Sequence, residues 1–340
     1  LCVLAGAVPF CTWIGGAPEI WQCVVYYVLL FGGIQIALFL KEKGAYRVWR
    51  VLSRGICVAV VCVSIFILGF RQKNLISITC LDIGQGDGIV IQLPGGKTVM
   101  VDGGSSSKKK VASYQILPYL KNQGISVVDA MLISHTDLDH ISGVQELLTL
   151  KEKHLTTLRI KNLLLPDWKA PEEVYYELEE QAKRCGISVL RLHQGQKLRF
   201  GDGSLEILSP ETSAKGTDVN EEGIVMELRY GKFRGLFTGD IGAETEKKLL
   251  PKLDDVNFLK VGHHGSRYST CQEFLDKIKP ELAVISCSES NTYGHPSPET
   301  TARLEENGIR TEYTMKNGAI TVYTDGHSIR MKTFCNEKTA

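Results

Sequence analysis

Six consecutive residues, His135-Thr136-Asp137-Leu138-Asp139-His140, carry four side chains able to bind a metal ion, directly after the apolar run Asp129 to Ser134 (DAMLIS). On an extended segment alternate residues point the same way, so His135 and Asp137 can share one side. A turn into a following helix then lets Asp139 and His140 face a second point. Imidazole suits Zn, Mn or Fe, and carboxylates shift the preference toward harder ions. Two more apolar runs end in the same kind of residue. Phe233 to Asp240 (FRGLFTGD) finishes on Asp240, and Val256 to Ser266 (VNFLKVGHHGS) delivers His263 and His264. Any one of these is a weak signal, since a lone TGD is usually a turn. Three strand ends that finish in ligand-type side chains before a glycine or a turn describe a cleft built on a sheet.

The flanking sequence supplies the elements to position them. From Ile76, short β-branched runs (ISITCLDI, GIVIQL, KTVMVD) are separated by GQGD and PGG, both strong turn signals. Further strands are predicted at DAMLISH, NLLLPD, ISVLRL, LEILSP, IVMELRY, FRGLFTGD, VNFLKVGHH, LAVISC, AITVYTD and SIRMKTF. Helices are predicted over about 111–122, 142–150, 171–185, 243–250, 271–279 and 298–307. The last is the best signalled, with Ser297 as N-cap, Pro298 at the first helical position and Gly308 past the end. Strands with interspersed helices indicate a layered α/β domain whose helices cover sheet faces.

The N-terminal part reads differently. Ile20 to Leu40 holds no charge, and Gly55 to Phe70 is a second uncharged run that lengthens if Val51 to Ser53 join it. Both approach the roughly 20 residues needed to cross a bilayer core, and neither has the polar stripe of an amphipathic helix. Transmembrane spans are therefore expected at about 20–40 and 52–70, within a membrane segment 1–75, followed by a hydrolase domain 76–335. Between the spans, Lys41, Lys43, Arg47, Arg50 and Arg54 make a short basic connection of the kind retained in the cytoplasm. That would put everything after Phe70 outside the cytoplasmic membrane. The chain opens on Leu1 rather than Met, which predicts a piece of a longer protein.

Charge and cysteine narrow the field. The first 70 residues hold five Lys and Arg against two Glu; with the whole chain at +1, residues 71 to 340 sum to −2. A general nucleic-acid binder is more often basic, so an anionic substrate would have to be held by a local patch or by metal. Cys80, Cys185, Cys271, Cys287 and Cys335 show no CxxC spacing, which rules against a cysteine zinc site, and no disulfide is predicted.

HTDLDH resembles the HxHxDH signature of the metallo-β-lactamase superfamily, with Asp137 in place of its second His. More narrowly, LDIGQGDG at 81–88, VDGG with Asp102, SHTDLDHISG, LFTGD, KVGHHGS and YGHPSPE, in that order, are similar to the ComEC family of competence DNA-uptake proteins. The resemblance implies an αββα sandwich preceded by about two transmembrane helices. It implies that His135 and Asp137 bind one metal, that Asp139 and His140 bind the other, and that Asp240 bridges. His263 or His264 would complete a coordination sphere, and His295, in the GHP segment, would be a ligand, a proton donor or a phosphate contact. Asp102 would orient a ligand histidine, and Arg267 would contact a substrate phosphate. Asp82, Gln85 and Asp87 match the family's first motif, but Gly84, Gly86 and Gly88 around them point to a tight turn before catalysis. Two features depart from the pattern. Ser297 stands where a second His often follows GHP, and neither His154 nor His193 sits in a motif that would supply a further superfamily histidine.

The implied function is a nuclease with two divalent ions (Mn²⁺ or Zn²⁺), in which Asp139, His140 and His295 take part in catalysis. It would act on DNA at the cell membrane beside other uptake proteins and degrade the non-transforming strand. Two other readings compete: a metallohydrolase acting on another substrate, and a non-catalytic DNA-binding or gating module.

Overall fold

The computed structural model describes residues 14–42, 46–70 and 75–335. The chain divides into two compact units.

In the first, helices Ile20–Glu42 and Tyr46–Gly69 pack side by side. Within them Ile20–Phe39 and Val51–Gly69 are long and apolar enough to cross a membrane, and only 6% of each stretch is buried. Gln22 ties the helices together, its Nε2 donating to the Ile67 and Phe70 carbonyls at 2.6 and 2.9 Å. The basic connection between the spans is mostly helix and not loop: Arg47, Arg50 and Arg54 belong to Tyr46–Gly69, and residues 43–45 lie outside the described residues. Neither proline nor a glycine pair interrupts YRVWRVLSR, and Arg, Leu and Trp tolerate helix well enough to carry it past the apolar run.

The second unit is a pair of sheets. Strands β1 (Ile76–Cys80), β2 (Ile89–Gln92), β3 (Thr98–Val101), β4 (Val127–Leu132), β5 (Arg159–Pro166) and β6 (Ser188–Leu192) belong to the first sheet. Strands β7 (Lys197–Phe200), β8 (Gly203–Ser209), β9 (Val225–Tyr230), β10 (Phe233–Phe237), β11 (Phe258–Lys260), β12 (Leu282–Ile285) and β13 (Arg310–Tyr313) make the second. The chain then returns to the first sheet with β14 (Ile320–Thr324) and β15 (Ile329–Thr333), giving the order β15-β14-β1-β2-β3-β4-β5-β6.

Side-chain alternation explains the layering, because successive strand residues face opposite sides. On β9 and β12, Met226, Leu228, Leu282 and Val284 enter a core shared with Ile76, Ile78, Ile89, Ile91 and Val101 of the first sheet. Their neighbours Val225, Ala283 and Ile285 join a second cluster on the outer face, with Phe274, Leu275, Ile278 and Leu304 from the covering helices. The result is the layered α/β arrangement read from the sequence.

Strands β3 to β6 run parallel, as do β10 to β13, each pair joined by a helical crossover. In such sheets ligands bind beyond the carboxyl ends of the strands. The HTDLDH segment, Asp240 and the paired histidines follow the ends of β4, β10 and β11. Two strands have no counterpart in the sequence reading, β7 (KLRF) and the edge strand β13 (RTEY). Neither has more than one buried residue and both lack an apolar run, and each exists because a stronger neighbour, β8 or β12, offers it a ladder. The helix after the signature begins at Leu138, four residues earlier than expected. The capped C-terminal helix runs Pro298–Glu306, with Ser297 Oγ accepting from Thr300 N at 3.2 Å.

Candidate metal centre

Two glycine motifs make the site compact. A Cβ on Gly104 would abut the backbone of Leu138, His140 and Ile141, and one on Gly143 would collide with the Gly103 carbonyl. The VDGG loop and the HISG helix therefore touch backbone to backbone, which draws Asp102 and His140 together.

Asp102 is 1% exposed. Its Oδ1 accepts from Ser134 N at 2.7 Å, and its Oδ2 accepts from Ser134 Oγ at 2.7 Å and from His140 Nδ1 at 2.9 Å. Because the Ser134 hydroxyl donates to Asp102, its lone pairs are left to accept from His135 Nδ1 at 3.0 Å. His264 Nδ1 donates to the Ser286 carbonyl at 3.1 Å. In each of these imidazoles the Nδ1–H is engaged, which turns the Nε2 lone pair toward the centre of the site.

Those nitrogens converge. The rings of His135 and His140 lie 4.0 Å apart, and those of His140 and His264 lie 5.3 Å apart. Asp240 faces both sides, with Oδ1 3.3 Å from His140 Nε2 and Oδ2 3.5 Å from His264 Nε2. Asp139 Oδ2 lies 3.3 Å from His264 Nε2. Among the described residues four groups of ligand-type atoms lie within 4.8 Å of one another, and two of them hold two residues of the signature each, His135-His140-Asp240 and Asp139-His140-His264. Asp137 stands at the rim, half exposed, with Oδ2 3.6 Å from His135 Nε2. Asp139 and His140 share the second of these groups, with His264. His140 belongs to both groups, because the helix starting at Leu138 swings its ring back over His135.

His264 is buried beside Asp139, whereas His263 is about a third exposed, its Nε2 3.9 Å from Asp240 Oδ2. Both adopt positive φ, 48° and 53°, on the turn after β11. His295 lines the same pocket, its ring 5.5 Å from that of His263, and its backbone is clamped by Asn291. Arg267 is exposed, pairs with Glu299 at 3.7 Å and is not among the residues lining the pocket. His193 pairs with Asp167 at 3.3 Å and His154 is exposed, so neither joins the centre.

The charges explain what the centre accepts. Burial opposes the charged form of His140, yet the Asp240 and Asp102 carboxylates hold its pKa well above the ordinary histidine value. Burial likewise opposes, and Asp240 with Asp139 overcomes, so the His264 pKa is raised. Asp240 is pushed up by burial, but His264 and His140 hold it well below the usual carboxylate range. His295 is lowered to about 4 by burial and by the neighbouring His263 and His264, so it is neutral at pH 7. The cluster is a set of buried carboxylates looking for positive charge.

A divalent cation fits these residues. Among the described residues, His135 Nε2, His140 Nε2, His264 Nε2 and Asp240 Oδ1 are buried atoms without a hydrogen-bond partner. Unpaired buried polar atoms are rare, and four gathered in two adjoining groups mark a ligand set. The donors mix imidazole nitrogen with carboxylate oxygen, which suits Zn or Mn.

Two participants, Ser134 and Lys260, are absent from the sequence reading as site residues, and a third, Asp87, enters it only as part of a tight turn. Ser134 links Asp102 to His135. Asp87 is a buried charge and not merely a turn residue: its Oδ2 meets Lys260 Nζ at 2.8 Å, and its Oδ1 lies 3.8 Å from His264 Nδ1. Lys260 was the detectable one, since it is the single charge in the otherwise apolar strand FLKV, where burial requires a partner.

The sequence pattern described as the metallo-beta-lactamase superfamily matches residues 81–289, more than half of the chain. The ComE operon protein 3 of Bacillus subtilis is 29% identical over 289 residues, covering 80% of this chain and 36% of that protein. The Recombination protein 2 of Haemophilus influenzae is 30% identical over 274 residues, covering 80% and 32%. The chain thus spans about a third of the length of these relatives, and the ComEC resemblance carried by the motifs is borne out. The metallo-beta-lactamase fold protein YhfI from Bacillus subtilis superposes with a TM-score of 0.53 at 13% identity, covering 74% of this chain and 100% of that one, a likeness of fold. With the pattern, the two packed sheets and the convergent histidines in agreement, the chain belongs to the metallo-beta-lactamase superfamily.

Proposed function

We propose that the chain is part of a membrane DNA-uptake protein in which residues 76–335 form a metal-dependent deoxyribonuclease that degrades the non-transforming strand, carried on a membrane segment 1–75. The observation that carries the reading is the clustering of His135, His140, His264 and Asp240 with buried, unpaired ligand-type atoms, where Asp240 and His264 line an open pocket of about 310 Å³. The resemblance to the ComEC family is the ground for taking DNA as the substrate class. Two apolar helices with basic residues between them support a multi-pass anchor whose hydrolase domain lies outside the cytoplasm, beside other uptake proteins.

His135, Asp137, Asp139, His140, Asp240 and His264 would hold two divalent ions, Mn²⁺ or Zn²⁺. When bound, these supply Lewis-acid polarisation of a phosphoryl oxygen and a water acidified toward neutral pH. The chain does the rest. Asp102 and Ser134 lock His140 and His135 in the tautomers that aim Nε2 inward, and Asp240 presents one oxygen to each side of the cluster. His295, neutral at pH 7, would serve at the wall as a ligand or as a hydrogen-bond partner of the phosphate. At the mouth, the exposed ring of Tyr293 stacks on His295 at 5.8 Å and 23°, with exposed Leu138 also at the rim. An exposed aromatic face beside a phosphodiester site is what an unpaired base stacks on.

The test is incubation of the full chain in detergent with single-stranded DNA, double-stranded DNA and bis-p-nitrophenyl phosphate, with Mn²⁺ or Zn²⁺ titrated in. Asp139→Ala is expected to abolish whichever cleavage is seen. No cleavage of any phosphodiester with any of these ions would sink the reading.

A further inference from the structure

We propose that Gln85 is a catalytic hydrogen-bond donor whose amide Nε2–H grips a nonbridging oxygen of the phosphodiester seated at the metal centre. The inference rests on the phosphodiesterase reading above.

Gln85 is 1% exposed, yet it lines the pocket with Asp139, Asp240 and His264. Its amide has a defined orientation. Ser288 N–H donates to Oε1 at 3.4 Å, so a flipped amide would set N–H against N–H. Nε2 is thereby the free end, and it has no partner among the described residues. A buried donor left unpaired is costly, and a fold keeps one where something else will accept.

The backbone is held as tightly. Gln85 N donates to Ser107 Oγ at 2.8 Å, and Gln85 O accepts from Ser106 N at 2.8 Å. Gly84 and Gly86 on either side have φ of 83° and 149°, and a Cβ on Gly86 would press on the carbonyls of Gly104 and Asp139. The glycines of GQGD are therefore there to press Gln85 against the signature loop, a conformation closed to other residues.

Charge makes the amide necessary. The residues lining the pocket include Asp137, Asp139 and Asp240 but neither Lys nor Arg, and the nearby buried cation Lys260 is committed to Asp87. An anionic ester thus finds no cationic side chain there to hold its second nonbridging oxygen. Preorganised amide donors are well suited to that place, because they stabilise charge that develops in the transition state.

Gln85→Glu and Gln85→Met separate this role from a structural one. Glu keeps an acceptor for Ser288 N–H and loses the donor; Met loses both at similar volume. The full chain in detergent, loaded with Mn²⁺, is assayed on bis-p-nitrophenyl phosphate, and the affinity for inorganic phosphate, metal content and Tm are measured alongside. A donor role predicts that both variants lose about 10²–10³-fold in kcat/KM. It also predicts phosphate binding weakened by about tenfold, while the Glu variant keeps its metal content and Tm. A Glu variant within about threefold of wild-type activity, or one that fails by losing its metal, overturns the proposal. Wild-type protein that hydrolyses no phosphodiester overturns the functional reading instead.

Discussion

Replacing Lys260 by Met would test whether the site is organised around a buried ion pair. Lys260 and Asp87 are 1% and 2% exposed, with Nζ and Oδ2 2.8 Å apart. Burial alone disfavours both charges, yet each keeps the other ionised: the Asp87 pKa is lowered by Lys260, and the Lys260 pKa is raised by Asp87. Met matches the Lys stem in length but leaves Asp87 as a buried carboxylate whose other oxygen already lacks a hydrogen bond among the described residues. Breaking one half of a buried pair costs about 3–5 kcal/mol. In a domain of this size each kcal/mol lowers Tm by about 2–4 °C, so a fall of about 6–20 °C is expected. The assay is thermal unfolding of the full chain in detergent, with and without Mn²⁺. Asp87 also groups with Asp240 and His264, so added Mn²⁺ should return part of the loss by taking over the role of the missing ammonium. The double variant Asp87→Asn, Lys260→Met, which removes both charges, should melt well above the single one. A single variant melting within about 2 °C of wild type would refute the reasoning.

Other outcomes follow from the same geometry. Asp102→Asn sets an amide N–H against His140 Nδ1–H and should weaken metal binding about 10- to 100-fold in chelator competition; unchanged affinity would mean that the imidazole needs no such anchor. Chelation exposes a pH dependence. His140 and His264 have folded pKa values raised above that of the unfolded chain, so their stabilising protons are fully bound below about pH 6.5 and are lost as pH climbs through the folded values. The chelated chain should accordingly melt lower at about pH 9 than at about pH 6, and the Tm gain on adding Mn²⁺ should grow over that range; a flat profile would contradict the assignment of charge. Tyr293→Ala removes a stacking face worth about 1–3 kcal/mol per base, so its KM for single-stranded DNA should rise by about fivefold or more relative to its KM for a base-free phosphodiester, and an equal rise for both would discount base stacking.

The candidate ligands were legible in the sequence because residues of ligand type cluster just beyond the ends of apolar strands. Ser297 and Pro298 announced their helix through a local hydrogen bond that needs no tertiary partner. The two apolar helices were equally plain, since hydrophobicity over 20 residues is a property of composition. What the chain could not announce was pairing across distance. Whether His263 or His264 turns inward depends on a positive-φ turn after β11 and on the Ser286 carbonyl beside it. The helix carrying His140 starts early because Gly103, Gly104 and Gly143 allow two backbones to touch, a contact between segments some 40 residues apart. Strands β7 and β13 exist only through their neighbours' ladders. Lys260 finds Asp87 across 173 positions, and the charge state of the whole centre is set by burial and by carboxylates brought in from four different loops. Residue type and local spacing are written along the chain, whereas dielectric, proximity and the orientation of each ring are properties of the packed sheets alone.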